Sequence, residues 1–300
     1  MTTDQNIICY GFASKMTLAS VGLGVTKKYA LNQTSLWEGC HTMSNRTPNI
    51  IHFIYPVWER TRPLSYLNYM AVKMAKEVQV PDEIKFWINK EPEPNEWWDK
   101  IKELVTVYHT PMDGKHLGVN IEWPQLQSDL TRLEILNNEG GIYLDTDMLL
   151  LHPLSLYMDD DFSMCLEPSD GAPVSACNAL MIAKPEAQFT KLWLEEMPTA
   201  LAHPVWAYGG VKVPYEMSLA YPHLVSMYPA WHFCPLDLKQ NWLFSTDPEV
   251  FHEANKRSQR SAAVHGFETF WRDIVKDITP QWCKDNPHSL FSVLTEPHRD

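Results

Sequence analysis

Between Pro124 and Leu150 the chain spells a helix, a double glycine and an apolar run, and that run holds two aspartates. Leu126, Leu130, Leu133 and Leu136 recur at helical spacing and form one apolar stripe, and Gly140-Gly141 supplies a left-handed stop. The following Gly141-Ile142-Tyr143-Leu144-Asp145-Thr146-Asp147-Met148-Leu149-Leu150 reads as one buried strand carrying Asp145 and Asp147. A charge taken unpaired out of water is costly, so each carboxylate must meet a cation, a donor or solvent. Residues i and i+2 of a strand project to the same face, which predicts that Asp145 and Asp147 converge on one site.

The same alternation runs upstream. Asn49 to Tyr55 reads as a strand, Ser65 to Val80 as a helix whose Leu67, Met70, Met74 and Val78 share a face, and Pro81 as its stop. Glu83 to Ile88 is a second strand, residues 91–104 a helix, and Val105 to Tyr108 a third strand. Strands and helices in alternation predict an α/β fold with a Rossmann-like, mostly parallel sheet flanked by helices, and a ligand beyond the carboxyl ends of the strands. The 300 residues hold no repeat or low-complexity run. The expected organisation is a variable N-terminal extension over 1–47, a single domain with insertions over 48–275, and a C-terminal tail over 276–300.

Twenty-five Lys and Arg against 37 Asp and Glu leave a formal charge of −12, which argues against nucleic acid or an anionic membrane surface as partner. An anionic small ligand would need a local metal ion or arginine. The six cysteines, Cys9, Cys40, Cys165, Cys177, Cys234 and Cys283, contain no C-x-x-C pair and read as buried thiols. The apolar stretch from Ile7 to Val25 is broken by Lys15 and preceded by Asp4, unlike a signal peptide or a membrane span. A cytoplasmic place, peripheral to a membrane, is therefore expected, with a secretory lumen as the alternative. Only in a lumen would the acceptor patterns at Asn32-Gln33-Thr34 and Asn45-Arg46-Thr47 matter.

Hard carboxylate oxygens suit Mn2+ or Mg2+ better than zinc, and two aspartates leave coordination positions for water and a diphosphate. The bland reading is a pair of capping or turn aspartates. On the preceding helix Asp129 and Arg132 lie one turn apart, beside Ser128. As an exposed ion pair they would contribute under ~1 kcal/mol. Close to a metal-bound diphosphate they could instead grip sugar hydroxyls and leaving-group oxygens.

Ser128-Asp129-Leu130-x-Arg132 followed by Gly140-Gly141-Ile142-Tyr143-Leu144-Asp145-x-Asp147 resembles the Asp-x-Asp glycosyltransferases of the glycosyltransferase-32 type. That group includes yeast α-mannosyltransferases and α-1,4-galactosyltransferases, with the clostridial glucosylating toxins as relatives. The likeness extends to Pro48–Tyr55, to His152-Pro153-Leu154 and to Asn178–Ala183, and so covers roughly residues 48–272. It implies a GT-A fold, a Mn2+ or Mg2+ ion, and transfer with retention from a nucleotide-sugar donor. A UDP-sugar is favoured over a GDP-sugar, and the acceptor is a hydroxyl of a glycan, lipid or protein. By position, Asp145 would contact the donor, Asp147 the metal, and Asp129 and Arg132 the transferred sugar. Tyr55 stands where the family usually has a base-stacking Trp. In Val264–Trp271 the resemblance gives His265 a part in the metal or diphosphate site and Trp271 a place over the donor, with Phe270 where a Ser is common. A structural histidine and a core tryptophan are the plain alternatives.

The turn-rich Glu167–Pro173 reads as an acceptor-side loop or lid, Asn178 as a sugar contact, and Gly209-Gly210 as a close approach to the acceptor or a simple turn. Two rival functions remain: a haloacid-dehalogenase-like phosphatase, which also ends a strand in Asp-x-Asp, and an inactive sugar-nucleotide-binding protein. Leu149 stands where the phosphatase pattern has Thr or Val.

Overall fold

Strand β1 (Ile50–Tyr55) carries its side chains alternately into two apolar layers, and this sets the architecture. Ile51 and Phe53 enter one layer with Leu67, Met70 and Phe86, and Ile54 enters the other with Leu133, Tyr143 and Trp193. A fully buried side chain of this size contributes about 1.5–3 kcal/mol, so a strand buried on both faces is strongly anchored. The computed structural model describes residues 46–58, 62–116, 119–121, 124–169, 171, 175–202 and 208–299. Outside these fall the expected N-terminal extension up to residue 45, with Cys9, Cys40, Asn32 and Asn45, and also Asp170, Ala172 and Pro173 of the turn-rich loop.

Helix α1 (Tyr66–Gln79) begins where Ser65 and Asn68 close a reciprocal cap, and it ends at Val80 in a left-handed conformation with φ 49°. It leads to β2 (Glu83–Ile88), α2 (Glu96–Lys102) and β3 (Thr106–His109). A short hairpin, β4 (Lys115–His116) with β5 (Val119–Asn120), precedes α3 (Pro124–Glu139). Gly140 and Gly141 then turn the chain at φ +65° and +103° into β6 (Gly141–Leu144). A Cβ on Gly141 would lie 2.7 Å from the Ile50 carbonyl, so only glycine lets β6 meet β1 there.

The chain continues through β7 (Met148–Leu150), β8 (Phe162–Leu166), β9 (Ala176–Ala183) and α4 (Gln188–Leu201). One wide turn at Tyr208–Lys212 opens α5 (Val213–Ala220), followed by β10 (Ser226–Tyr228) and α6 (Pro248–Ser258). Strand β11 (Ala263–His265) and three short helices, α7 (Arg272–Val275), α8 (Pro280–Asp285) and α9 (Leu290–Thr295), complete the fold. The main sheet has seven strands in the order β10-β8-β9-β6-β1-β2-β3. All neighbours are parallel except β9, which is antiparallel to both β6 and β8. Helices flank this mostly parallel sheet, as the α/β, GT-A expectation requires.

One expectation needs correction. The run Gly141–Leu150 is not one strand: β6 stops at Leu144, and Asp145-Thr146-Asp147 forms a turn in which the Met148 amide donates to the Asp145 carbonyl at 3.0 Å. Beyond it β7 leaves the main sheet and pairs antiparallel with β11. Beyond residue 276, Cys283, Leu290 and Phe291 are buried in the main core, and the Phe291 amide donates to the Leu243 carbonyl at 2.8 Å. From Met43 onward the chain forms one unit.

Candidate active site

The Asp145–Asp147 turn lies at the carboxyl end of β6, where a parallel sheet opens its ligand crevice. Its conformation is fixed from four sides. The Asp145 amide donates to the Ala179 carbonyl at 2.8 Å, and Asn68 Nδ2 donates to the Thr146 carbonyl at 3.0 Å. From the far end of the chain, the Gly266 amide donates to the Asp147 carbonyl at 2.9 Å and the Glu268 amide to Asp147 Oδ2 at 2.8 Å. A Cβ on Gly266 would come 3.0 Å from the Asp147 carbonyl oxygen.

Because β11 pairs with β7, His265 stands opposite Met148 and its ring reaches the two carboxylates. Its Nε2 is 3.3 Å from Asp147 Oδ1 and 3.9 Å from Asp145 Oδ2. Asp145, Asp147 and His265 each offer a ligand atom, and these atoms lie within 4.8 Å of one another. Burial alone would raise Asp147, but His265 beside it holds its carboxyl below the usual range. Burial and the neighbouring Asp147 push Asp145 up to about 6 despite Arg132. Burial lowers the imidazole most, but Asp147 and Cys177 together raise it, and it ends well above its ordinary value. Two carboxylate oxygens and an imidazole nitrogen converging in this way fit a divalent ion of the Mn2+ or Mg2+ kind.

Beside this group sits a buried cation. The Arg132 guanidinium is 4% exposed and each of its nitrogens is engaged: Nε donates to the Ser128 carbonyl at 3.2 Å, Nη1 to the Asn178 carbonyl at 2.9 Å, and Nη2 to Ser128 Oγ at 3.0 Å. Nη1 also faces Asp145 Oδ1 at 3.2 Å, and Nη2 faces Asp129 Oδ1 at 3.4 Å. The plane lies 4.4 Å over the Tyr143 ring, whose hydroxyl donates to Asp145. Arg132 therefore lines the cavity with its donors engaged by the protein. Asp129 also accepts from Asn178 Nδ2 at 2.8 Å. Gly210 packs its backbone against that pair, where a Cβ would lie 2.4 Å from Asn178 Nδ2 and 2.6 Å from Asp129 Oδ2.

These residues line one cavity of about 430 Å³, with Tyr55 on its wall. The Tyr55 hydroxyl donates to the Arg62 carbonyl, and its ring tilts against Phe86 with centroids 6.4 Å apart. Trp271 is placed elsewhere: it packs against the main core, and its neighbours Phe270 and Arg272 face the cavity instead. The reason is local. After Phe267, left-handed at φ 50°, the chain makes a tight turn in which the Trp271 amide donates to the Glu268 carbonyl at 3.1 Å, directing the indole inward.

Three cavity residues escape a reading of the sequence. Glu268 accepts from Asn68 Nδ2 at 2.9 Å and from Ser65 Oγ at 3.2 Å, and burial with Asp147 raises it to about 7. A lone carboxylate in the Val264–Phe270 run is its only local signal. Arg62 and Arg272 bring positive charge to the same cavity; isolated arginines carry no such signal in a sequence.

A known family covers part of this stretch of chain, including the Asp145–Asp147 turn. Residues 57–164 match the family described as glycosyltransferase sugar-binding region containing DXD motif. The chain is 24% identical over 271 residues to glucan organizing enzyme 1 of Cryptococcus neoformans var. grubii, covering 83% of this chain and 70% of that protein. Among solved structures it is similar to the PaToxG glycosyltransferase, at 12% identity and TM-score 0.41 over 83% of this chain and 88% of the other. It is also similar to the galactosyltransferase LgtC, at 12% identity and TM-score 0.40 over 78% and 98%. The matched residues 57–164 include the Asp145–Asp147 turn, and the chain is a glycosyltransferase.

Proposed function

We propose that this enzyme is a metal-dependent, retaining hexosyltransferase that takes its sugar from a nucleotide-sugar, UDP-linked by preference, and passes it to a hydroxyl of a glycan, lipid or protein. The observation that carries the reading is the meeting of Asp145, Asp147 and His265 within 4.8 Å on the wall of one cavity. Asp147, Asp145 and His265 would hold Mn2+ or Mg2+. Such an ion, when bound, supplies Lewis-acid neutralisation of a departing diphosphate.

The chain's own residues do the rest. Arg62 and Arg272 offset diphosphate charge from the cavity wall, which an overall charge of −12 otherwise opposes. Asp129 and Asn178, locked to each other at 2.8 Å, offer fixed oxygens and an amide to sugar hydroxyls. Arg132 is a positioning residue that orients Asp129 and Asp145 and opposes their protonation in a dry site. Tyr55, standing on the cavity wall, stacks on the base. A cytoplasmic place fits the four free, buried cysteines Cys165, Cys177, Cys234 and Cys283. Among the described residues no helix is long and apolar enough to cross a membrane.

The test is release of nucleoside diphosphate from a panel of UDP- and GDP-sugars with Mn2+, without acceptor. One donor should be cleaved, and Asp147→Ala should reduce cleavage by roughly 1000-fold, the scale of losing a principal electrostatic stabiliser. If every donor stays intact and metal-dependent donor binding is also absent, metal-assisted sugar transfer at this cavity is wrong.

A further inference from the structure

Behind the carboxylates lies a second set of metal-ligating atoms. Cys177, Cys234 and His265 each place a ligand atom so that all lie within 4.8 Å of one another. Cys177 comes from β9, where it is the register partner of Cys165 on β8, and Cys234 from the loop after β10. The set is dry, with Cys234 at 0% and Cys177 at 4% exposure. Cys177 and His265 nevertheless line the main cavity, which gives an ion a way in.

The histidine orientation is the second, independent observation. Its Nε2 faces Asp147 at 3.3 Å, while its Nδ1 is fully buried and meets no hydrogen-bond partner at normal geometry. An imidazole that donates one N–H to a carboxylate and turns its other nitrogen toward thiols has the outer arrangement of a carboxylate–histidine–metal triad. Hard ions prefer the oxygen side of this ring, and soft ions prefer the sulfur side.

We propose that Cys177, Cys234 and Nδ1 of His265 form a binding site for a thiophilic divalent cation of the Zn2+ class, with Asp147 as the carboxylate behind the imidazole. Binding displaces one proton from each thiol and the proton on Nδ1, all three to solvent, and leaves two thiolates and a neutral imidazole around the ion. No electron is exchanged. The Nε2 proton stays directed at Asp147, so a zinc-loaded ring has no lone pair to offer a second ion on the carboxylates. Zinc and the Mn2+ of the carboxylate site therefore compete for one side chain.

The experiment uses the reduced, metal-free full chain with Mg2+ in excess and Co2+ as the probe. One equivalent of Co2+ should develop a thiolate-to-cobalt charge-transfer band. Cys234→Ser should lose that band while Cys283→Ser, altered in a distant thiol, should keep it. On the zinc-loaded parent protein, X-ray absorption should give a sulfur shell at about 2.3 Å. This measurement decides the matter even when the Cys234 variant does not fold. A shell of oxygen and nitrogen alone, or a cobalt band that survives Cys234→Ser, overturns the site. Mn2+ binding followed by electron paramagnetic resonance reports on the carboxylates separately, so failure of the donor-site reading leaves the sulfur site standing.

Discussion

Gly210 shows how little room Asn178 and Asp129 have beside it. An added methyl would stand 2.4 Å from Asn178 Nδ2 and 2.6 Å from Asp129 Oδ2, closer than atoms tolerate. Gly210→Ala must therefore part the Asn178–Asp129 hydrogen bond or shift the wide turn at Tyr208–Lys212. A displacement near 1 Å at a reacting centre costs about 100-fold in rate, whereas the overpacking itself costs about 1–3 kcal/mol. Donor cleavage should accordingly fall by roughly 100-fold in a protein that still melts cooperatively. Activity left at the parent level would show that the Asp129–Asn178 geometry is not what the sugar reads. Arg132 belongs to the same scale. With a partner for every nitrogen, it is the only cation ion-paired to both Asp129 and Asp145 among the described residues.

At the scale of elements, the junction of β1, β2 and β6 is held by a neutral histidine. His52 Nε2 donates to the Gly140 carbonyl at 2.9 Å, and Nδ1 accepts from Trp87 Nε1 at 3.2 Å. Burial lowers this ring from 6.5 to about 4, while Glu139 and Glu83 pull upward and Lys85 downward. The unfolded chain takes up a proton near 6.5 that the fold refuses, so His52 stabilises fully above that pH and progressively less as pH falls toward about 4. The loss should reach at most about 3 kcal/mol in urea melts, and His52→Gln should flatten that part of the profile. An unchanged slope in the variant would locate the acid sensitivity in other groups.

Strands β1 and β2 and helix α1 were legible in the sequence because their apolar spacing and caps are local. The break at Asp145-Thr146-Asp147 was hidden, since β6 and β7 are both buried and the apolar run continues through the turn. The reversed direction of β9 was equally invisible, because side-chain periodicity is the same in parallel and antiparallel strands. Asp129, Arg132, Asp145 and Asp147 could be found from spacing within one helix–turn unit. The Ser65–Asn68–Glu268 network joins two distant parts of the chain, and no short pattern encodes it.

At the scale of the whole molecule, the cavity joins β1, α3, the Asp145 turn, β9 and the segment after β11. A ligand that spans these parts binds the folded chain alone and should raise its melting point. With Mn2+ and the matching nucleoside diphosphate at a hundred times the dissociation constant, the stabilisation should be about 2.7 kcal/mol. Asp147→Ala should abolish the metal-dependent share of that shift in differential scanning fluorimetry. A full shift in the variant would mean that the nucleotide is held without the carboxylate site.

The late arrival of β11 has a further consequence, one of timing. A nascent chain that has cleared the ribosome as far as Leu150 already displays Asp145 and Asp147, with neither the imidazole of His265 nor the amides of Gly266 and Glu268 to receive them. Strand β7 likewise waits for β11, its one partner among the described residues. The motif is written at residues 145–147, but the site is finished only once residues 263–268 have followed, so a product cut short between Leu150 and Ala263 keeps the signature without the groups that receive it.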